Sequence, residues 1–229
     1  DKYCKTTFEA NFKDKLDTRD IKTIPISDIP DHDLLAAGFP CQPFSLAGLK
    51  KGFNDSRGDL FMEIIRILRE KRPKSFLLEY VKHLFNHNGG ITLAYMLKIL
   101  RDNLGYFVPE PKILNSKFFG VPQNRQRVYI VGFRDPTEFS FPDPLDKKVK
   151  LSDVLENSVD ESYFLSQMYY EGLIKHKERH RSKGSGFGFE ILDSERIAHA
   201  LVVGNMGRER NLIKDKPGKG FYKRGMDRK

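Results

Sequence analysis

Cysteine is scarce in this sequence of 229 residues, which contains only Cys4 and Cys41. Two cysteines 37 residues apart form neither a disulfide framework nor a metal-ligand set, so we predict no metal site and a reducing compartment. No window approaches the length of apolar sequence that a membrane helix needs, and the N-terminus shows no secretory pattern. These absences argue against membrane-spanning and exported proteins and predict a cytoplasmic one.

Basic residues outnumber acidic residues by 40 to 31, which gives a formal net charge of +9 and a pI of about 9.4. Such a surplus favours a polyanionic partner. It is concentrated late in the chain, in Lys175–Arg181 and in residues 214–229. A solvated helix face followed by a tail has the same composition, so charge alone leaves both interpretations open.

Strand-like and helix-like patterns alternate through the first part of the chain. Apolar runs predict strands at 33–37, 75–78, 107–114 and 128–133, and helical spacing predicts helices at 1–12, 59–71 and 92–104. This alternation predicts an α/β, Rossmann-like, doubly wound fold with a mostly parallel sheet.

The segment Phe141–Pro142–Asp143–Pro144 interrupts this pattern. Periodicity is weaker after it, except in a predicted helix over 162–177. We therefore predict a main domain over 1–142 and a small, irregular region over 143–229. The length suffices for one substantial core and a smaller second lobe.

Cys41 stands between Pro40 and Pro43, directly after a predicted strand that ends near Gly38. The prolines stiffen the backbone, and the carboxyl ends of strands are where open α/β sheets collect catalytic groups. A lone cysteine is more commonly a small buried hydrophobe. The two prolines favour a presented nucleophile here, whereas Cys4 has no comparable setting.

Glu79 and two arginines follow at later strands. Glu79 ends the second apolar run, and Arg125 and Arg127 alternate just before the strand at 128–133, which predicts that they project from one face. Taken singly, each is an ordinary exposed strand end. Cysteine, glutamate and arginines in this order and at these gaps resemble the cytosine-5 DNA methyltransferase family, over residues 1 to 135.

The resemblance implies a DNA (cytosine-5-)-methyltransferase of the prokaryotic restriction–modification type. Its partner would be double-stranded DNA, its methyl donor S-adenosyl-L-methionine and its compartment the bacterial cytoplasm. Cys41 would add to C6 of a flipped cytosine, Glu79 would assist as an acid at N3, and Arg127 with Arg125 would hold the flipped nucleotide. Residues 1–142 would be the catalytic domain and 143–229 the target-recognition region.

The segment between Phe44 and Gly58 resembles a mobile basic flap that closes on an extruded base. A solvated surface loop would look similar, so this interpretation depends on the neighbouring Cys41. For DNA binding the resemblance implies Gln42, Ser45, Lys50, Lys51, Arg57, Arg125 and Arg127.

The cofactor motifs of the family are incomplete in this sequence. The family has a glycine-rich turn after its first strand and an acidic residue after its second, whereas the first glycine here is Gly38. The family's closing helix is not found either, so we expect a missing N-terminal or C-terminal segment or a complementary subunit. The positions that remain for the methyl donor are Asp20, Ile21, Pro40 and Leu60.

Tyr80 departs from the family, which has asparagine after the glutamate. If that asparagine braces the loop, tyrosine braces it differently, and Tyr80→Asn is expected to retain or raise activity. The departure and the absent cofactor turn favour one alternative, a non-catalytic DNA-binding subunit with the same fold. A cysteine hydrolase with His32, His83 or His87 as its base is a third hypothesis, disfavoured because no histidine has a triad setting.

Overall fold

The computed structural model describes residues 2–39, 60–185, 188–201, 211–214 and 221–223, with the backbone alone at 162 and 221–223. The chain forms two compact units. The first contains Asp1–Ile113 and Arg127–Ser140, and the second contains Leu114–Gln126 and Phe141–Lys229. No local pattern in the sequence predicts that residues 114–126 join the second unit, and the domain limits at 142 and 143 stay a prediction.

Among the described residues of the first unit the α-helices are α1 (Lys2–Asn11), α2 (Leu60–Lys71) and α3 (Ile91–Lys98), and α3 continues as a π-helical turn over Ile99–Asn103. The apolar residues of α2 recur every three or four positions, so they share one face. Phe61, Ile65 and Leu68 on that face are buried in the main core. In contrast, α1 contains no buried residue.

The strands in the first part of the chain are β1 (Leu34–Gly38), β2 (Ser75–Val81), β3 (Lys112–Asn115), β4 (Gln123–Asn124) and β5 (Gln126–Phe133). Four of them form one sheet in the order β1-β2-β5-β3. β1 and β2 run parallel, whereas β2 and β5 run antiparallel. The sheet is therefore mixed, because β5 lies next to β2 in the opposite direction.

The strand predicted over 107–114 is wrong in its first half. Pro109 and Pro111 have no N–H to donate to a sheet, so regular pairing starts only at Lys112. Before these prolines, Phe107 makes an isolated bridge with Phe133.

Gly132 fixes the fit between β2 and β5. It pairs with Phe76, and a Cβ at Gly132 would lie 2.2 Å from the ring of Phe76. Only glycine accommodates the ring at this position, and the resulting register sets which side chains face each other further along the two strands.

The main hydrophobic core is formed by the sheet and the helices that pack on it. It includes Leu68, Phe76, Leu78, Met96, Leu100, Val128 and Ile130.

The second unit contains α4 (Gln167–Ser182) and the short strands β6 (Glu190–Leu192), β7 (Ala198–His199), β8 (Asn211–Lys214) and β9 (Phe221–Lys223). β4 pairs with β7, and β6, β8 and β9 form a separate sheet. The helix begins later than predicted because the Ser166 hydroxyl caps it, accepting from the Tyr169 N–H at 3.3 Å. No helix in the described ranges is long and apolar enough to cross a membrane.

Candidate active site

Glu79 and Arg127 meet near the carboxyl end of β2. Glu79 faces Tyr129 in the register of β2 and β5, and Val81 faces Arg127, so Arg127 is the diagonal neighbour of Glu79. The Arg127 Nε lies 2.7 Å from Glu79 Oε1, and the two side chains are 20% and 34% exposed. Two of the three predicted catalytic residues are thus brought together by the pairing of β2 with β5.

Gly38 makes room for the Glu79 carboxylate. The two residues are partners in the parallel register of β1 and β2. A Cβ at Gly38 would lie 3.3 Å from Glu79 Oε2, which is tighter than an ordinary contact. The absence of a side chain at Gly38 therefore leaves room for Oε2 beside β1, while Arg127 contacts Oε1 and orients the carboxylate.

Phe39 anchors the chain directly after β1. It is 8% exposed, and its ring centroid lies 4.7 Å from that of Tyr80 and 5.9 Å from that of Phe61. Tilted aromatic pairs at these separations add to the burial energy. The backbone that leads towards Cys41 therefore starts from a fixed core residue.

The burial of Tyr80 changes the expectation for Tyr80→Asn. Tyr80 is 2% exposed and packs against Phe39, so asparagine would leave a cavity and bury an amide. We expect this substitution to cost about 3–5 kcal/mol of unfolding free energy and to lower activity through loss of fold. Denaturant unfolding measures the change, and Tyr80→Phe, which keeps the ring, is the matched control. Equal stability of the asparagine and phenylalanine variants would contradict this account.

Arg125 belongs to the second unit and lies between β4 and β5, outside either strand. The strand alternation that predicted a common face for Arg125 and Arg127 therefore does not apply to it. Its backbone is instead held by Asn115 and Ser116 through hydrogen bonds at 3.1 Å each. Neither residue was identified from the sequence. Asn115 lies ten residues before Arg125, and only the folded chain brings the two together.

Three of the residues predicted to contact the methyl donor lie in the first unit. Asp20 forms a turn, its Oδ1 accepting from the Lys22 N–H at 3.0 Å. Ile21 and Leu60 are half-buried. Arg66 on α2 connects the two segments, since it donates to the Ile21 carbonyl at 3.0 Å. Sequence reasoning missed Arg66, which has no motif around it.

Several predicted site residues lie outside the described residues, and their roles stay predictions. They are Pro40, Cys41, Gln42, Ser45, Lys50, Lys51 and Arg57.

The three histidines of the hydrolase hypothesis have local contacts. His32 Nδ1 lies 2.8 Å from the Pro30 carbonyl oxygen, and His87 Nδ1 lies 2.7 Å from the Thr92 hydroxyl. The ring of His83 lies 5.6 Å from that of His87. Among the described residues none of these histidines forms an ion pair with a carboxylate that would orient it as a base, and Cys41, the nucleophile of that hypothesis, lies outside the described residues.

Comparison with known proteins identifies the relatives of this chain. The family model of C-5 cytosine-specific DNA methylases matches residues 1–226. The chain is 53% identical to the type II methyltransferase M.HpaII of Haemophilus parainfluenzae, over 94% of this chain and 62% of the relative. It is 45% identical to M.NlaX of Neisseria lactamica, over 85% and 62% of the two chains. The chain thus spans about three fifths of the length of these relatives.

The fold is also found in solved structures. The methyltransferase EhMeth of Entamoeba histolytica superimposes with a TM-score of 0.67 at 18% identity, over 97% of this chain and 72% of that one. The predicted α/β fold and the resemblance to the cytosine-5 DNA methyltransferase family are both confirmed.

Proposed function

We propose that this chain, which belongs to the C-5 cytosine-specific DNA methylase family, methylates C5 of a cytosine in duplex DNA. The methyl donor in this proposal is S-adenosyl-L-methionine, and the context is a type II restriction–modification system, since both named relatives are type II methyltransferases. The Glu79–Arg127 pair at 2.7 Å carries the proposal. It holds an oriented carboxylate beside Gly38, three residues before Cys41.

Cytosine C5 is a poor nucleophile while the ring is aromatic. It becomes nucleophilic when a group adds to C6 and breaks the aromaticity. The Cys41 thiolate forms the S–C6 bond, and N3 takes up a proton with assistance from Glu79, so that negative charge does not build up on the ring. The resulting enamine attacks the methyl group of the donor through C5, and the bond between that methyl group and the donor sulfur breaks, so that the sulfur leaves as a neutral thioether. Solvent takes the C5 proton, the S–C6 bond breaks and N3 returns its proton to Glu79, which releases methylated cytosine and the free thiolate.

Arg127 has two functions in this proposal. Its contact with Oε1 orients the Glu79 carboxyl, and its charge lies where the family resemblance implies a hold on the flipped nucleotide. A guanidinium at this position suits both tasks, because its fork of donors binds several oxygens in a fixed geometry.

The described residues fit one side of a methyl-donor site. Ile21 and Leu60 offer half-buried apolar surface, and Arg66 ties the turn at Asp20 to α2. When bound, S-adenosyl-L-methionine supplies a methyl group on a positively charged sulfur. In this proposal Ile21 and Leu60 contact its apolar parts, and Asp20 supplies a carboxylate to its polar end.

A further segment completes the donor side in this proposal. Tyr3 on α1 and Phe12 directly after α1 are 59% and 58% exposed, and Leu34 at the start of β1 is 54% exposed. Large apolar side chains that are more than half exposed are typical of surfaces that another element covers. We infer that a segment carrying the glycine-rich turn, in the same polypeptide or in a complementary subunit, packs there.

Trapping on DNA that contains 5-fluorocytosine tests the proposed reaction. Fluorine cannot leave C5 as a cation, so a methyltransferase supplied with S-adenosyl-L-methionine stays covalently joined to C6. We expect a denaturation-resistant protein–DNA adduct. Binding without an adduct would instead support the non-catalytic DNA-binding subunit, and absence of both would contradict a role on DNA.

Lys175 and Arg179 on α4, together with Lys183 directly after its last residue, define a basic stripe that fits a DNA backbone. The three side chains are exposed and recur at every fourth position, so they follow one line along the helix at a spacing of about 6 Å. Among the described residues none of the three forms an ion pair. Desolvation and the neighbouring positive charges lower the pKa of His180 on the same helix. The stripe is thus a concentration of positive charge without a described acidic partner.

Neutralising the basic stripe should reduce the salt dependence of DNA binding. Each phosphate contact contributes about 0.9 to the slope of log affinity against log salt, so Lys175→Gln with Arg179→Gln and Lys183→Gln is expected to lower it by about two to three. Affinity measured from low to physiological salt gives both slopes.

The matched control for this experiment removes the same charge elsewhere. Lys13, Lys15 and Lys22 are exposed and lie in the first unit. Their replacement by glutamine is expected to change the slope by less than about one. Equal slopes for the two triple variants would show that the stripe does not contact phosphates.

A further inference from the structure

We propose that Asn115 is a positioning residue for Arg125, fixing the backbone from which the arginine reaches the DNA. The inference rests on the proposed function of Arg125 as a nucleotide-holding residue. Arg125 itself lies outside both strands, in the single position between β4 and β5.

Both the oxygen and the nitrogen of the Asn115 side-chain amide make hydrogen bonds. Its Oδ1 accepts from the Arg125 N–H at 3.1 Å and from the Lys117 N–H at 3.3 Å. Its Nδ2 donates to Asn124 Oδ1 at 2.7 Å. Asn115 is 6% exposed. A buried amide with these partners is costly to replace, because its removal leaves the backbone N–H of Arg125 without this acceptor.

Ser116 holds the same segment from the adjacent position. Its N–H donates to the Arg125 carbonyl at 3.1 Å, and its hydroxyl donates to the Gln123 carbonyl at 2.6 Å. The Arg125 N–H also lies 3.1 Å from the Gln123 carbonyl, which closes a tight local turn. The backbone on both sides of the Arg125 Cα is therefore bonded to Asn115–Ser116.

This bracing has a direct consequence for the arginine. A long side chain reaches a phosphate or a base only if its Cα and its Cα–Cβ direction are fixed, since a displacement of about 1 Å can cost about a hundredfold in rate. In a strand, hydrogen bonds to the neighbouring strand would fix the Cα. At Arg125 the hydrogen bond to Asn115 does this instead. A purely structural role, as the cap of the turn Ser116–Phe118, would stabilise the unit without coupling to Arg125.

A double-mutant cycle separates the two roles. We expect Asn115→Leu to lower kcat/KM for DNA about 10- to 100-fold in the protein with intact Arg125. In the Arg125→Ala background the same substitution should change kcat/KM less than about threefold, because the side chain that it misplaces is already absent. Asn115→Asp is expected to retain most of the activity, since its oxygen still accepts from Arg125 and Asn124 can rotate its amide to donate.

Asn211 provides a matched control in the same unit. It is also 6% exposed, and it braces His199 by accepting from the His199 N–H at 2.8 Å and donating to the His199 carbonyl at 3.1 Å. Asn211→Leu should lower kcat/KM for DNA by the same factor in the protein with Arg125 and in the Arg125→Ala background. If Asn115→Leu does not fold, Asn124→Ala takes its place, removing only the 2.7 Å bond at an exposed residue.

The outcomes are distinct. A loss from Asn115→Leu or Asn124→Ala that persists in full without Arg125 would overturn the positioning role and leave a structural one. Full activity of Arg125→Ala would show that the proposed function of Arg125 is wrong, and the inference would fail with it. Coupling confined to Asn115 and absent for Asn211 supports the inference.

Discussion

Cys41→Ser is expected to abolish methyl transfer while leaving DNA binding largely intact. A serine hydroxyl is almost wholly protonated at neutral pH and is a far weaker nucleophile than a thiolate. Nothing else in the proposed reaction can form the bond to C6, so the loss should exceed about a thousandfold. Transfer of a labelled methyl group to DNA measures activity, and a mobility shift measures binding.

Cys4→Ser is the matched control for this variant. Cys4 is the only other cysteine, and it is exposed on α1. We expect it to keep both methyl transfer and the covalent adduct with 5-fluorocytosine DNA. Methylation by Cys41→Ser above a few per cent of the unmodified protein would remove Cys41 from the role of nucleophile. Loss of DNA binding would indicate that the substitution disturbs more than the chemistry.

Local patterns predicted the parts of the site that one segment creates. Helical spacing predicted α2, and the apolar run before Glu79 predicted that β2 would end near a carboxylate. These predictions succeeded because spacing along a single helix or strand decides which face is buried.

Long-range pairing could not be predicted in the same way. Arg127 reaches Glu79 only because β5 is inserted next to β2 in the antiparallel direction, and a Gly132–Phe76 fit fixes the register. Neither strand contains a signal for its neighbour. The turn that brings Asn115 to Arg125 was missed for the same reason.

At Tyr80 the family resemblance and the structure contribute different information. Comparison with the family identified the position as a departure from asparagine, but not what the new side chain does. Burial against Phe39 supplies the answer, since tyrosine at this position extends the aromatic core. The substitution is therefore expected to act on stability and on the anchor before Cys41 rather than on the chemistry itself.

Glu79→Gln is expected to slow the chemical step by about 10²- to 10⁴-fold, the contribution of a positioned acid. The amide keeps the shape of the carboxyl group but cannot deliver a proton to N3, and it loses the ionic part of the contact with Arg127. Single-turnover methyl transfer at saturating DNA isolates this step from product release. DNA affinity should change far less, because Arg127 remains in place.

Glu110→Gln is the matched control, because it removes a second glutamate that is paired with an arginine in the first unit. Glu110 Oε1 lies 2.7 Å from Arg101, the same separation as in the Glu79–Arg127 pair, but its side chain is 83% exposed. An exposed ion pair contributes at most about 1 kcal/mol to stability and nothing to chemistry in this proposal, so its single-turnover rate should be unchanged. If Glu79→Gln lowers the single-turnover rate and Glu110→Gln does not, the loss is due to the position of the carboxyl group at the end of β2. If Glu79→Gln reacts at the unmodified rate, the acid that protonates N3 is a different group, and the Glu79–Arg127 pair is a structural contact between β2 and β5.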